Sequence, residues 1–212
     1  MEPIDMTSWQ RTELFQSYLK TDFPYIILGA RMEVGPLLER CRAENSSFYF
    51  SLVYLATKAA NEIENFHYRF RHKQVYRVAQ NIPVLTHMRS GDDIFMMLEG
   101  NPALDRVSFC RNLRQCAAQT VPGQRLDCGE RMDLISFSCV PWVDYTHVIR
   151  TISKLGVDCN PKITWGKYTQ ENGKTTLDLS VQVHHGLMDG YHVGKFFETL
   201  QMYIDQLEEE TV

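Results

Sequence analysis

The clearest pattern in the chain runs from Leu177 to Phe196, LDLSVQVHHGLMDGYHVGKF. Apolar Leu177, Leu179, Val181 and Val183 alternate with polar Asp178, Ser180 and Gln182, the period of a half-buried strand. Val193, Phe196, Phe197, Leu200 and Ile204 then recur at three- and four-residue steps, the period of a helix. His184, His185, Asp189 and Gly190 lie between the two patterns. The helix is expected to end in a solvated acidic tail at Glu208-Glu209-Glu210.

The same reading divides the rest of the chain. Thr7 or Asp5 can cap a first helix to about Leu19, with Trp9, Leu14, Phe15 and Tyr18 on its apolar side. Phe23 to Val34 predicts a strand, and Pro36 opens a short helix, PLLERCRAEN. Phe48 to Ile63 predicts a buried helix whose Ala56, Ala59 and Ala60 admit close packing. Tyr68 to Val78 and Ile82 to His87 predict strands, Ala103 to Ala118 a helix, and Leu134 to Val140 a strand running into Pro141-Trp142. Asp144 to Gly156 has no clear period. Pro161 to Tyr168 and Thr175 to His184 predict two strands, with Asn172-Gly173 between them as a hairpin signal. Without a repeat, a linker or a shift in composition, residues 1–212 are expected to form one domain.

Composition narrows the function classes. A chain of 212 residues can bury one sizeable core, and 44% hydrophobic with 23% charged residues is globular rather than disordered. A net charge of -4 leaves no basic stripe for a phosphate backbone, so no nucleic-acid partner is expected. The apolar runs are too short to span a bilayer, and the polar start MEPIDMTSWQRTELF lacks a signal pattern, so a cytoplasmic protein without membrane association is expected. The six cysteines include no CxxC pair and are expected as buried free thiols.

His67, His72 and His87 read as surface or core-edge residues. The central stretch admits three readings. One is a structural histidine pair satisfied by backbone carbonyls. Another is a metal site from His184 or His185 with Asp189 and His192, weakened because adjacent strand residues point to opposite faces. The third is general-base catalysis by a histidine, whose ordinary pKa near ~6.5 lets it accept a proton at neutral pH. Asp189 could then orient the site, and Gly190 permits a tight reversal. Arg11, taken locally, reads as a solvated charge.

The string QVHHGLMDGYHVGKF resembles the active-site signature of the chloramphenicol acetyltransferases, HHxxxDG followed by an aromatic residue, His and Val. The shorter HxxxDG also occurs in the acyltransferase cores of 2-oxo-acid dehydrogenase complexes and in peptide-synthetase condensation domains. Trp9-x-Arg11 with Phe15, Ser47-Phe48-Tyr49 then Leu55-Ala56, Pro141-Trp142-Val143, and Ile163-Thr164-x-x-Lys167-Tyr168 favour the smaller family. The likeness runs from Trp9 to about Leu207 and is weakest between Arg89 and Met132.

That resemblance implies an α/β, two-layer α+β fold, a mixed sheet flanked by helices. It implies a homotrimer with active sites at subunit interfaces. The implied reaction is direct acetyl transfer to a hydroxyl of a small-molecule acceptor. Acetyl-CoA would be a co-substrate rather than a permanently bound cofactor, and no metal is implied. His185 would be the general base, and Asp189 would pair with Arg11 to hold the geometry. Thr164 would steady the tetrahedral intermediate through a water, Lys167 and Tyr168 would meet the CoA nucleotide, and Tyr18 would face the acceptor. A core ring on the first helix is the alternative for Tyr18.

Two departures from the family pattern stand out. His147 occupies the place of the family's oxyanion serine; either it donates in that role, or it is a surface residue and Thr146 donates. Tyr25 follows Pro24 where the family has a small residue, and Ser47 replaces a lysine near the CoA phosphates. A narrower acceptor pocket and weaker CoA binding are the expectations. They keep two alternatives open: an acetyltransferase for a different hydroxyl compound, and a non-catalytic trimeric small-molecule binder.

Overall fold

The computed structural model describes residues 1–128, 130–153 and 157–209. In chain order the elements are β1 (Glu2–Pro3), α1 (Thr12–Tyr18), β2 (Tyr25–Glu33), α2 (Gly35–Ala43), α3 (Phe48–Asn61), a 3-10 turn (Glu64–His67), β3 (Tyr68–Arg71), β4 (Gln74–Arg77), β5 (Ile82–His87), β6 (Met96–Glu99), α4 (Arg106–Gln119), β7 (Leu134–Cys139), β8 (Lys162–Trp165), β9 (Thr169–Glu171), β10 (Lys174–His184) and α5 (Gly190–Glu209). The main sheet has the order β2-β10-β8-β7-β5-β6, with β9 also paired to β10. Strands β5, β7 and β8 run parallel, and the other pairings are antiparallel. A small antiparallel sheet, β1-β4-β3, stands apart. The mixed sheet with helices packed on it is the architecture expected from the sequence.

The odd-numbered side chains of β8 and β10 explain which face meets the helices. Ile163, Trp165, Leu179, Val181 and Val183 join Leu52 and Ala56 of α3, Phe109 of α4, and Val193, Phe196 and Leu200 of α5 in one apolar cluster. A smaller cluster gathers Phe15 of α1, Phe70, Val75, Cys159 and Leu187.

The other face departs from expectation. An alternating strand predicts polar residues in water, yet Asp178, Ser180 and Gln182 are buried. They are covered by residues 141–153, a segment with no helix or strand. The segment is fastened by side chains of the sheet: the Gln182 amide accepts from Arg150 N at 2.8 Å and donates to Arg150 O at 3.4 Å. It also lies hard against two glycines. A Cβ at Gly29 would stand 2.9 Å from Thr146 O, and one at Gly166 2.8 Å from Val143 O.

Other expectations are corrected locally. Tyr68 to Val78 is two strands, β3 and β4, because His72 and Lys73 adopt φ of 49° and 68° and reverse the chain as a two-residue turn. The first helix begins only at Thr12; Asp5 instead accepts from Thr7 and Ser8, and Leu14 is exposed. Pro161 to Tyr168 ends as a strand at Trp165, where Lys167 N turns to Val143 O at 3.0 Å. Strand β6 was not expected, since four residues show no period. His67 is fully inside the protein. The Asn172-Gly173 turn forms with φ of 52° and 79°, but it joins β10 to the separate short strand β9 rather than to the strand that ends at Trp165. All six cysteines are free, and Cys41, Cys110 and Cys159 are buried while Cys116, Cys128 and Cys139 are partly exposed. No helix among the described residues is long and apolar enough to cross a membrane. Gly156, which closes the patternless segment, and Glu210, which closes the acidic tail, lie outside the described residues.

The glycine contacts give the first prediction. Gly166→Ala should lower stability by about 1–3 kcal/mol in urea unfolding by pushing a backbone carbonyl off the sheet. Gly194→Ala is the control: it sits in α5 with nothing within 4 Å of its added Cβ, so stability should hold or rise.

Candidate active site

The junction of β10 and α5 sorts its two histidines by direction. The backbone N–H of His185 donates to Pro24 O at 2.8 Å, and Leu187 N returns to His184 O at 3.0 Å, closing a tight turn. His184 points inward among Phe15, Tyr25 and Phe70, with ring centroids 6.5, 5.5 and 4.9 Å away. Its Nδ1 accepts from Gly186 N–H at 3.2 Å, so its proton sits on Nε2. Burial, helped by the neighbouring His185, pushes the His184 pKa down to about 4.

His185 holds the opposite tautomer. Its Nδ1 lies 3.1 Å from Met188 O, and a carbonyl only accepts, so Nδ1 carries the proton and Nε2 the lone pair. Tyr18 stacks on the imidazole with centroids 4.4 Å apart and planes at 28°. Asp189 Oδ1 is 3.5 Å from the same Nδ1.

Arg11 is not a solvated charge. Its side chain is 13% exposed, and its two terminal nitrogens clasp both oxygens of Asp189, Nη2 at 3.0 Å from Oδ1. Nη2 also donates to His185 O at 3.2 Å, so one guanidinium ties the carboxylate to the backbone of the histidine. The Arg11 hydrogen bonds hold the Asp189 carboxyl below the usual carboxylate range. The backbone N–H of Asp189 donates to His192 Nδ1 at 3.0 Å, and burial, with Arg11 nearby, pushes His192 down. Among the described residues no group of three or more His, Cys, Asp or Glu is placed to hold a metal ion.

The remaining sequence-derived residues form a second group. A cleft of about 830 Å³ is lined by Ser47, Phe48, Ser138, Trp142, Lys167 and Tyr168, among others. The Tyr168 ring stands edge-on to Phe48 at 5.8 Å, and Lys167 is exposed. Ser47, in the lysine's place, caps α3 by accepting from Phe50 N at 3.3 Å. Thr164 is buried opposite Ser180, and its hydroxyl has no protein partner. His147 is exposed above the sheet, with its Nδ1 3.1 Å from Thr146 Oγ1. Tyr25 is buried against His184 and does not line this cleft.

The two groups do not meet within one chain. No hydrogen bond, ion pair or ring contact among the described residues links Arg11, Tyr18, His185 or Asp189 to Thr164, His147, Lys167 or Tyr168. Ser180, opposite Thr164, and His184 are four strand residues apart, about 13 Å along the backbone. Ser180, opposite Thr164, and Tyr145, whose ring lies over Gly166, were not singled out from sequence: the strand position read as solvent-facing, and Tyr145 falls in a segment with no period.

The architecture is one shared by acetyltransferases. A solved chloramphenicol acetyltransferase matches with a TM-score of 0.85 at 22% identity, covering 95% of this chain and 98% of its own. A probable dihydrolipoamide acetyltransferase from Listeria monocytogenes matches with a TM-score of 0.70 at 10% identity, covering 100% of this chain and 97% of its own. These likenesses establish the fold alone. The sequence establishes the family: the family model for chloramphenicol acetyltransferase matches residues 1–201, and the chain belongs to that family of acyltransferases. It is 28% identical to a chloramphenicol acetyltransferase of Clostridium perfringens over 204 residues, 93% of this chain and 92% of the relative. It is 25% identical to chloramphenicol acetyltransferase 2 of Escherichia coli, over 96% of this chain and 97% of the relative.

The buried histidine gives a pH prediction. His184 titrates at about 4 when folded and near ~6.5 when unfolded, so between those values the unfolded chain binds more protons. Its contribution is fully present above pH ~6.5, and stability falls by about 3 kcal/mol as pH drops toward ~4. Denaturant unfolding from pH 4 to 7 should show that slope in the wild type and a flatter one in His184→Asn.

Proposed function

We propose that this chain is an acetyl-CoA-dependent O-acetyltransferase that acetylates chloramphenicol with His185 as the general base. The observation that carries the reading is the His185 tautomer: with Nδ1–H committed to Met188 O, the Nε2 lone pair is free for a proton. Nε2 takes the acceptor's hydroxyl proton as that oxygen bonds to the thioester carbonyl carbon. The tetrahedral intermediate then collapses, the C–S bond breaks, and Nε2–H returns its proton to the CoA thiolate. Proton transfer of this kind contributes about 10²–10⁴-fold, and positioning of both substrates adds to it. Arg11 and Asp189 fix the turn that carries His185.

In this reading acetyl-CoA occupies the cleft, with Tyr168 against its adenine and Lys167 toward its phosphates. Thr164 and His147 serve the oxyanion, and Tyr18 packs between the base and the acceptor. The active form is a homotrimer in which one subunit's His185 faces the cleft of the next, each chain of residues 1–212 acting as one unit. Two observations support it: the halves of the site are apart within a chain, and Leu14, Phe23, Trp142, Val143 and Ile149 are large apolar residues left exposed. Use of acetyl-CoA accords with a cytoplasmic enzyme. A second reading, acetyl transfer to a different hydroxyl compound, is kept open by Tyr25, which follows Pro24 where the family has a small residue; His147 in the donor's place favours instead a non-catalytic small-molecule binder.

Thiol release from acetyl-CoA, followed with and without chloramphenicol, tests the reaction. Chloramphenicol-dependent release that falls by about 10²-fold or more in His185→Ala is the expected result. Release only with other hydroxyl compounds would move the reading to the second. Light scattering should give three times the chain mass, and a monomer would remove the shared site.

A further inference from the structure

A second, smaller pocket of about 370 Å³ opens beside the cleft and shares two wall residues with it, Ser47 and His87. Two arginines line it, Arg89 just past the end of β5 and Arg114 of α4, and among the described residues no Asp or Glu does. Helix α4 carries Arg106, Arg111 and Arg114 and no acid. Arg106 is spent on Glu44 and Ser51, whereas Arg114 is exposed and has no ion-pair or hydrogen-bond partner among the described residues. Arg89 meets Asp92 through its backbone N–H and its Nε, at 3.4 and 3.1 Å, both on the same oxygen, Oδ2. Its two terminal nitrogens have no partner among the described residues. Burial, with Arg89 nearby, pushes the His87 pKa down, so at neutral pH its ring is uncharged and still has one N–H to give.

The pocket's position fits one part of the co-substrate. Ser47, in the shared wall, immediately precedes Phe48, whose ring stands edge-on to Tyr168 at 5.8 Å. The place given above to adenine therefore adjoins the pocket. Ser47 has no charge to offer, and its hydroxyl is taken by Phe50 N. Acetyl-CoA is a thread with one charged branch. Thioester, pantetheine and pyrophosphate run in line to the adenosine, while the 3′-phosphate of the ribose projects aside. A phosphate monoester carries about -1.5 to -2 charges at neutral pH, and the guanidinium fork matches its oxygens. A side pocket lined by unpaired guanidinium nitrogens suits that branch better than the in-line pyrophosphate. Arg89 opens, and Arg114 lies within, the stretch to Met132 where the family likeness is weakest, so neither belongs to the motifs that carry it.

We propose that Arg89 and Arg114, with the His87 N–H, bind the 3′-phosphate of CoA and make this chain selective for CoA over its 3′-dephospho form. The inference rests on the acyl-transfer reading above and deepens it by assigning one end of the co-substrate. Asp92 holds Arg89 in place through Nε, so the terminal nitrogens are set before the phosphate arrives. Arg114 reaches in from the exposed face of α4 on its flexible stem. The phosphate is remote from the reacting carbonyl and is held alike in ground and transition states. Its contribution therefore falls on KM for acetyl-CoA and not on kcat. An open pocket is screened, so the selectivity should weaken as salt rises.

Calorimetric titration of the purified protein with CoA and with 3′-dephospho-CoA tests it. The wild type should bind CoA about tenfold or more tightly than the dephospho form, the worth of a charge-assisted hydrogen bond. Arg89→Gln with Arg114→Gln should bind the two alike within about threefold, and KM for acetyl-CoA should rise about tenfold or more in the double variant. Arg114→Gln alone should lose part of the preference; the residue is exposed and unpaired, so this variant reads binding even where loss of the Arg89 contact to Asp92 disturbs folding. Arg111→Gln removes an equal charge from the same helix outside both pockets and should keep the preference. Equal binding of the two ligands by the wild type overturns the proposal, as does a folded double variant that keeps the preference. Wild-type protein that binds neither ligand overturns it together with the cleft's assignment to CoA. Protein that prefers CoA but acetylates no acceptor sinks the transfer reading and leaves the phosphate site standing.

Discussion

The pair of Arg11 and Asp189 is the contact on which the site depends. It joins the turn before α1 to the turn before α5, 178 residues apart in the chain, and through Nη2 it also holds the carbonyl of His185. Tyr18, stacked on the imidazole, belongs to the same short helix that Arg11 introduces. One ion pair therefore sets both the backbone that carries His185 and the ring that covers it. With the Asp189 side chain 40% exposed, solvent screens the attraction, and the pair's importance is geometric more than energetic.

The second constraint is the polar face of the sheet. A buried polar face is stable only when its groups are paired. Most of this one is: Asp178 receives two bonds from Arg31, Lys162 pairs with Asp158 at 2.7 Å, and Gln182 grips the backbone of Arg150. Residues 141–153 form no regular structure; the segment is tied down at Arg150, by Gln182 and Ser136 O, and at Val143 O, by Lys167 N. Gly29 and Gly166 are the places where that segment comes closest. The pairing is incomplete at the hydroxyls of Thr164 and Ser180.

Much of the fold was legible in periodicity. The β10-to-α5 handover, the buried α3 and the Asn172-Gly173 turn follow from local patterns, and the HHxxxDG string marked the site. What local sequence lacks is long-range pairing. Arg11 reads as a surface charge because its partner lies near the other end of the chain. Ser180 and Gln182 read as solvent-facing because period two reports which residues share a face and not what covers that face. The His72-Lys73 turn is silent because neither residue is a usual carrier of positive φ. The tautomers of His184 and His185 depend on which carbonyl or amide a turn delivers to each ring, which no residue identity specifies.

Those tautomers also give the two adjacent histidines different parts in the turn. His184 fills the space behind His185 with a ring that accepts Gly186 N–H and so shapes the turn, and burial keeps it uncharged through the neutral range. In the proposed transfer a charged neighbour would repel an imidazolium formed on His185; a neutral one does not. On the other side Asp189 is already clasped by Arg11, so its carboxylate steadies the ring without drawing the proton away from Nδ1. His185 is left with Nε2 as the nitrogen not committed to the turn. Within a single chain the contacts of His185 run to Tyr18, Met188 and Asp189 and not to the residues of the cleft, which is the ground on which the proposed reading sets the cleft of a second copy against it.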